Sequence, residues 1–224
     1  MTRTLGLLAG LMLSATAAAS GPPASPFVIL LPDATGDEGR SEPYVDALSA
    51  RGIATLVLGF EEADEGPRAS LAPAPSRDAE ELARSWAAGE MLSLAGRGVA
   101  LIGFGAAARV VLGTGDAPVV ALDPGCRGLS LPARSAPALL VHGLAAPDAR
   151  DCAALDGSAG LERLALRGIT HGWDLPVVVA PAGALLPDPA NGGRRRSRPD
   201  PIATAAVAEA VAAWLAARLQ DGAR

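Results

Sequence analysis

The chain has 224 residues, 50% hydrophobic and 19% charged, with a net charge of −5. That length and apolar content can fill one sizeable core and exclude a chain disordered throughout. An acidic balance with only 3% aromatics excludes an electrostatic nucleic-acid binder, which needs a clustered basic surface and rings on which bases stack.

The first segment reads as an export signal. Arg3 supplies the charged start, Leu5–Leu13 the apolar run, and Ala17-Ala18-Ala19 the small-residue cleavage site. Residues 1–19 are therefore expected to be a signal peptide and 20–224 the mature domain, periplasmic or secreted. The apolar run is shorter than the roughly 20 residues a membrane span needs. No later segment supplies an uninterrupted run, and no cysteine follows the cleavage site to carry a lipid, so no stable membrane insertion is expected after cleavage. In an oxidising compartment the two cysteines, Cys126 and Cys152, are expected to pair, and no metal-spaced Cys or His stands near them.

From Phe27 onward short β-rich runs alternate with helical stretches, the pattern of a mostly parallel sheet covered on both faces. The predicted strands are Phe27–Leu31, Ala54–Leu58, Val99–Ile102, Val119–Leu122, Ala138–His142 and Leu161–Leu166. The predicted helices are Pro43–Ala50, Arg77–Ala95, Ala106–Leu112, Ala149–Ala154 and Ile202–Leu219, with Glu61–Ser76 as a long loop. The basic run Arg194–Arg198, set between Gly- and Pro-containing turns, reads as a solvated loop. His142, at the end of an apolar strand, reads as a hydrogen-bonded structural histidine.

In a parallel α/β sheet chemistry gathers beyond the carboxyl ends of the strands. The turn Ile102-Gly103-Phe104-Gly105-Ala106-Ala107-Ala108 has the shape of a nucleophile elbow, G-x-S-x-G, in which small neighbours let a tight turn raise a nucleophile above the sheet. Gly105 stands where the nucleophile belongs and offers neither hydroxyl nor thiol. Two further strand-end turns are Gly143-Leu144-Ala145-Ala146-Pro147-Asp148 and Gly168-Ile169-Thr170-His171-Gly172-Trp173-Asp174.

These turns, with Leu30–Gly36, Pro124-Gly125-Cys126 and Pro187–Asn191, make the chain resemble the dienelactone hydrolase family of α/β-hydrolases, and its exported, single-disulfide relatives in particular. The resemblance spans nearly the whole mature chain and implies an α/β-hydrolase fold without a large cap domain. It also implies a small-molecule ligand bearing an ester, lactone or carboxylate; no cofactor or metal is expected, and the chain is expected to be a monomer or weak oligomer. In such enzymes a Ser or Cys attacks the carbonyl, a histidine takes its proton and an aspartate orients the histidine. Here the histidine falls on His171, the nucleophile on Gly105 and the acid on Ala146. Asp148 and Asp123 are alternative acids. Backbone N–H groups of Ala106 and of Ala34 or Asp33 would form the oxyanion hole. Asp33 also matches a carboxylate beside the nucleophile, or else caps a turn. Trp173 lines a pocket or packs in the core. The chain is thus expected to be a degenerate relative that binds its ligand. The alternative is a hydrolase with a displaced nucleophile or a water activated by His171.

Overall fold

The computed structural model describes residues 26–33, 39–58 and 98–221. Residues 1–19 (predicted as a signal peptide), Ala34, the predicted loop Glu61–Ser76 and the helix predicted over Arg77–Ala95 lie outside the described residues. Along the rest, the elements run β1 (Phe27–Leu31), α1 (Glu42–Ser49), β2 (Ala54–Val57), β3 (Val99–Phe104), α2 (Ala106–Leu112), β4 (Val119–Leu122) and β5 (Ala138–Gly143). They continue as α3 (Ala149–Ala153), β6 (Leu161–Leu166), β7 (Leu185–Pro187), β8 (Arg194–Arg196) and α4 (Pro201–Asp221).

Six strands form one sheet in the order β2-β1-β3-β4-β5-β6, and every pairing is parallel. Because side chains alternate across a strand, each central strand feeds two cores. Val28 and Leu30 of β1, Ile102 and Phe104 of β3 and Val120 and Leu122 of β4 face one core, together with Tyr44, Leu48 and the apolar side of α4. Ile29, Leu31, Leu101, Val119 and Ala121 face the other, closed by Ala108, Val111 and Leu112 of α2. Burial on both faces is why these strands read as continuous aliphatic runs rather than alternating ones. The result is a mostly parallel sheet with helices on both sides, and no separate cap domain stands among the described residues.

Two elements depart from the sequence-based expectations. Leu185–Pro187 and Arg194–Arg196 pair as an antiparallel hairpin, so the basic run is not a free loop. Arg194 and Arg196 point outward, while Arg195 turns in to Asp188 at 2.7 Å and Asp148 at 3.5 Å. Helix α4, with a mean hydropathy of 1.5 over Pro201–Leu219, is also long and apolar enough to cross a membrane by length and composition. Its apolar side serves the fold instead. Val207, Val211 and Leu215, spaced four apart on one helix face, are buried with Ala208, Ala212 and Leu219 in the core.

Cys126 and Cys152 form a disulfide, which ties the segment after β4 to α3. Asp148 reinforces that joint, its Oδ2 accepting the Cys126 N–H at 2.7 Å.

Candidate functional site

The ends of β1, β3 and β4 lie side by side, so the residues that follow them share one crest. Between β3 and α2 the chain turns through Gly105 at φ +54°, ψ −116°, a conformation that L side chains adopt only under strain. The Gly105 N–H donates to the Leu122 carbonyl at 2.9 Å, which locks the elbow to the end of β4. The turn also needs a small residue at 103. An ideal Cβ there would lie 2.5 Å from the Ala107 carbonyl oxygen, because α2 folds back directly over the strand end.

Asp123 follows β4 and is the one non-glycine residue with positive φ (55°) among those described, a conformation Asp tolerates better than most residues. It aims the carboxylate across the crest, where Oδ2 accepts the His171 Nδ1–H at 2.5 Å and the Gly172 N–H at 3.0 Å. The histidine turn is braced from below. Arg198 N–H donates to the His171 carbonyl at 3.1 Å, and Asp200 N–H and Thr204 Oγ1 donate to the Trp173 carbonyl at 2.8 and 3.0 Å. His171 Nε2 is buried and has no hydrogen-bond partner among the described residues. With Nδ1 protonated toward Asp123, Nε2 carries the basic lone pair. Burial alone would push the imidazole pKa down, but the charge and hydrogen bond of Asp123 outweigh it and hold it up. Asp123 is likewise buried, yet the charge and hydrogen bond of His171 leave its carboxyl below the ordinary range.

Asp33, beyond β1, occupies the place a nucleophile would need. An ideal Cβ on Gly105 would fall against both Asp33 carboxylate oxygens and 2.6 Å from its Cγ. The same carboxylate takes the Ala106 N–H, at 3.4 Å to Oδ1, so the amide expected to stabilise an oxyanion already faces an anion of the chain itself. Arg40 holds it there. Its guanidinium reaches Asp33 Oδ2 at 3.1 Å and Asp174 Oδ1 at 2.8 Å, all three residues being buried. Arg40 also stacks over the Phe104 ring at 5.3 Å. Burial opposes its positive charge, but Asp174 and Asp33 outweigh that effect and hold the guanidinium above its ordinary range.

The crest thus gathers Asp33, Gly105, Ala106, Asp123 and His171. It does not gather Ala146 or Asp148. Ala146 is buried in the turn after β5, and Asp148 serves the Cys126 amide and Arg195. Of the two alternative acids, Asp123 is the one at the imidazole. Trp173 is fully buried in the core on the α4 side rather than lining a pocket. His142 is engaged by Arg163, whose Nη1 donates to Nε2 at 3.0 Å. Sequence reasoning missed Arg40 and gave Asp174 no role. Nothing in a polar turn ahead of a Ser-Glu-Pro helix start marks its arginine as buried, although the acid in His-Gly-Trp-Asp, beside a buried aromatic, is a place to seek a partner charge.

Against solved structures the same fold recurs. A dienelactone hydrolase-like promiscuous phosphotriesterase from metagenomic libraries superposes with a TM-score of 0.59 at 18% identity, covering 89% of each chain. A protein of Xanthomonas campestris ascribed to the α/β-hydrolase superfamily gives 0.54 at 15% identity, over 88% of this chain and 99% of that one. The esterase domain of a Rhodothermus marinus protein gives 0.50 at 13% identity, over 90% of each. No protein-family model and no curated protein matches the chain. At these identities the likeness establishes the fold alone, which is α/β-hydrolase-like.

Proposed function

We propose that this protein is an exported, dienelactone hydrolase-like binding protein, degenerate at its nucleophile, that recognises a small ester or lactone without forming an acyl-enzyme. The observation that carries the reading is the pairing of Gly105 with Asp33. Position 105 has no attacking atom, and a buried carboxylate fills the space one would occupy. Of the ligand types the resemblance implies, the neutral ones suit the crest. Asp33 already stands at the Ala106 amide, and a carboxylate ligand would bring a second negative charge against it. The leader and the disulfide fit an exported protein.

A second reading rests on a different observation, the His171–Asp123 pair with Nε2 unpartnered among the described residues. In that reading Nε2 takes a proton from water and the hydroxide adds to the ligand carbonyl. The tetrahedral oxyanion then collapses, expelling an alkoxide that the imidazolium protonates. Its weakness is electrostatic, because Asp33 stands at the amide that should receive the oxyanion.

One assay separates the readings. Purified protein and His171→Ala are given p-nitrophenyl acetate, and thermal unfolding is followed with and without a neutral lactone. Absence of turnover together with a lactone-dependent rise in Tm supports the binder. Turnover in the wild type that His171→Ala abolishes overturns it in favour of activated water, and absence of both responses overturns both readings.

A further inference from the structure

Six large apolar side chains are exposed among the described residues, and five of them, Val177, Val178, Val179, Leu185 and Ile202, lie on one part of the surface. Val178 is 90% and Ile202 82% exposed, so both stand out from the surface rather than rest against it. The turn that carries the three valines is held by its own backbone. Val179 and Ala180 N–H donate to the Pro176 carbonyl at 3.0 and 3.2 Å, and Gly183 N–H donates to the Ala180 carbonyl at 2.9 Å. Val177 lines one cleft with Pro201, which sets Ile202, the next residue, at the edge of the same patch. Single exposed aliphatic residues are ordinary, whereas a cluster of them marks a surface of contact.

The β7–β8 hairpin gives this patch a cationic margin. Directly paired residues share a face and successive ones alternate, so Leu185 and its partner Arg196 turn outward while Leu186 is buried and Arg195 turns in to Asp188. Arg196 Nη1 donates to the Gly183 carbonyl at 3.2 Å and Arg194 Nη1 to the Leu185 carbonyl at 3.0 Å, which holds both guanidinium groups against the chain that follows the valine turn. Arg194, Arg196 and Arg198 are exposed and form no ion pair among the described residues. The cleft side of the patch carries Glu42 instead, so the positive edge is the hairpin. In a chain of net charge −5, three such cations beside five exposed aliphatic side chains select a partner that is apolar beneath and anionic at its face.

We propose that the patch formed by Val177–Val179, Leu185 and Ile202 with Arg194, Arg196 and Arg198 rests on an anionic phospholipid surface. The aliphatic side chains enter the boundary of the acyl region, and the guanidinium groups donate to lipid phosphates. The contact is peripheral, since the apolar side of α4 is spent on the core. Charge and shape select this occupant. A second copy using the same patch would set arginine against arginine. A nucleic acid would find no ring among these residues on which to stack a base. A protein partner draws its affinity from anchors seated in pockets, whereas the protruding Val178 and Ile202 suit a fluid bilayer that closes around them. The inference goes beyond the ester or lactone reading and does not rest on it, because none of these side chains belongs to the crest.

The test is flotation of the full protein with vesicles of equal parts phosphatidylglycerol and phosphatidylcholine, and with phosphatidylcholine alone. Arg194→Ala/Arg196→Ala should bind the anionic vesicles about 25-fold more weakly than the wild type, about fivefold for each guanidinium. That difference should vanish on the neutral vesicles and shrink as salt is raised. Val178→Ser/Ile202→Ser should bind about tenfold more weakly with its salt dependence unchanged. Arg218→Ala, about 24 Å along α4 from Ile202, should bind as the wild type does. Every variant keeps residues 1–19, so the differences report the patch and not the apolar run Leu5–Leu13. The Tm and the lactone response of both double variants should stay at the wild-type level, which keeps loss of contact apart from loss of fold and from failure of the ester or lactone reading. Equal binding of anionic vesicles by the wild type and Arg194→Ala/Arg196→Ala, or a difference that persists on neutral vesicles, would overturn the assignment. Polyglutamate bound in place of vesicles, with the same dependence on the arginines and on Val178 and Ile202, would overturn it in favour of an acidic polypeptide.

Discussion

Gly105 and Asp33 cannot be understood separately. Introducing a hydroxyl by Gly105→Ser alone places a Cβ against both Asp33 carboxylate oxygens in a backbone conformation already at φ +54°, at an expected cost of about 1–3 kcal/mol. We expect this variant to unfold at lower urea and to remain unlabelled by a fluorophosphonate. Combining it with Asp33→Ala removes the clash and leaves Arg40 paired with Asp174. The two changes should therefore be non-additive by about 1 kcal/mol or more, with labelling of the introduced serine hydroxyl appearing only in the double variant. Since Asp123 already holds His171, an added Ala146→Asp should change neither result. Labelling of Gly105→Ser alone at full stability would refute this account. The glycine at 105 is visible directly in the sequence motif. The resemblance left Asp33 either beside that position or capping a turn, and only the fold, which brings residues 33 and 105 together across neighbouring strand ends, put the carboxylate at the elbow.

Among the elements, the β3–α2 junction is the most constrained. A methyl group at 103 would meet the backbone of Ala107 and Ala108 at 2.5–2.7 Å, and backbone cannot yield as a flexible side chain can. Gly103→Ala should cost about 2–4 kcal/mol, whereas Gly52→Ala, with open space around it, should cost only about 1 kcal/mol for its positive φ. Urea midpoints of the two variants check the ordering. The disulfide is the second constraint. Its sequence separation of 26 corresponds to about 3–4 kcal/mol in the chain-entropy model, so a reductant should lower the urea midpoint of the wild type and leave that of Cys126→Ala/Cys152→Ala unchanged. The strands were legible from their aliphatic runs, although β3 and β5 extend past the predicted ends to include Phe104 and Gly143. The β7–β8 hairpin was not legible. Three arginines in a row carry no strand signal, and the contacts of Arg195 with Asp188 and Asp148 join residues apart in the chain.

For the molecule as a whole, the His171–Asp123 pair makes stability depend on pH from both sides. The raised histidine pKa contributes stability that is complete below the ordinary histidine range and fades as pH climbs through the raised value. The lowered aspartate pKa contributes stability that is complete above the ordinary carboxylate range and disappears as pH falls through the lowered value. Urea midpoints should therefore form a plateau between about pH 4 and pH 6.5, with a decline on either flank that Asp123→Asn flattens. Equal flanks in that variant would contradict the linkage. Composition and the alternation of apolar runs with helical stretches determined the layered α/β architecture by themselves, because burying both faces of a parallel sheet leaves few other arrangements for such a pattern. Motif spacing likewise marked His171 and the absent side chain at 105. Only the tertiary structure decided that Asp123 rather than Asp148 meets the imidazole, that Arg40 is shared by two buried carboxylates, and that Asp33 lies at the elbow. Those contacts depend on which strand ends adjoin and on how charges are compensated away from water, and neither is written in the local order of residues.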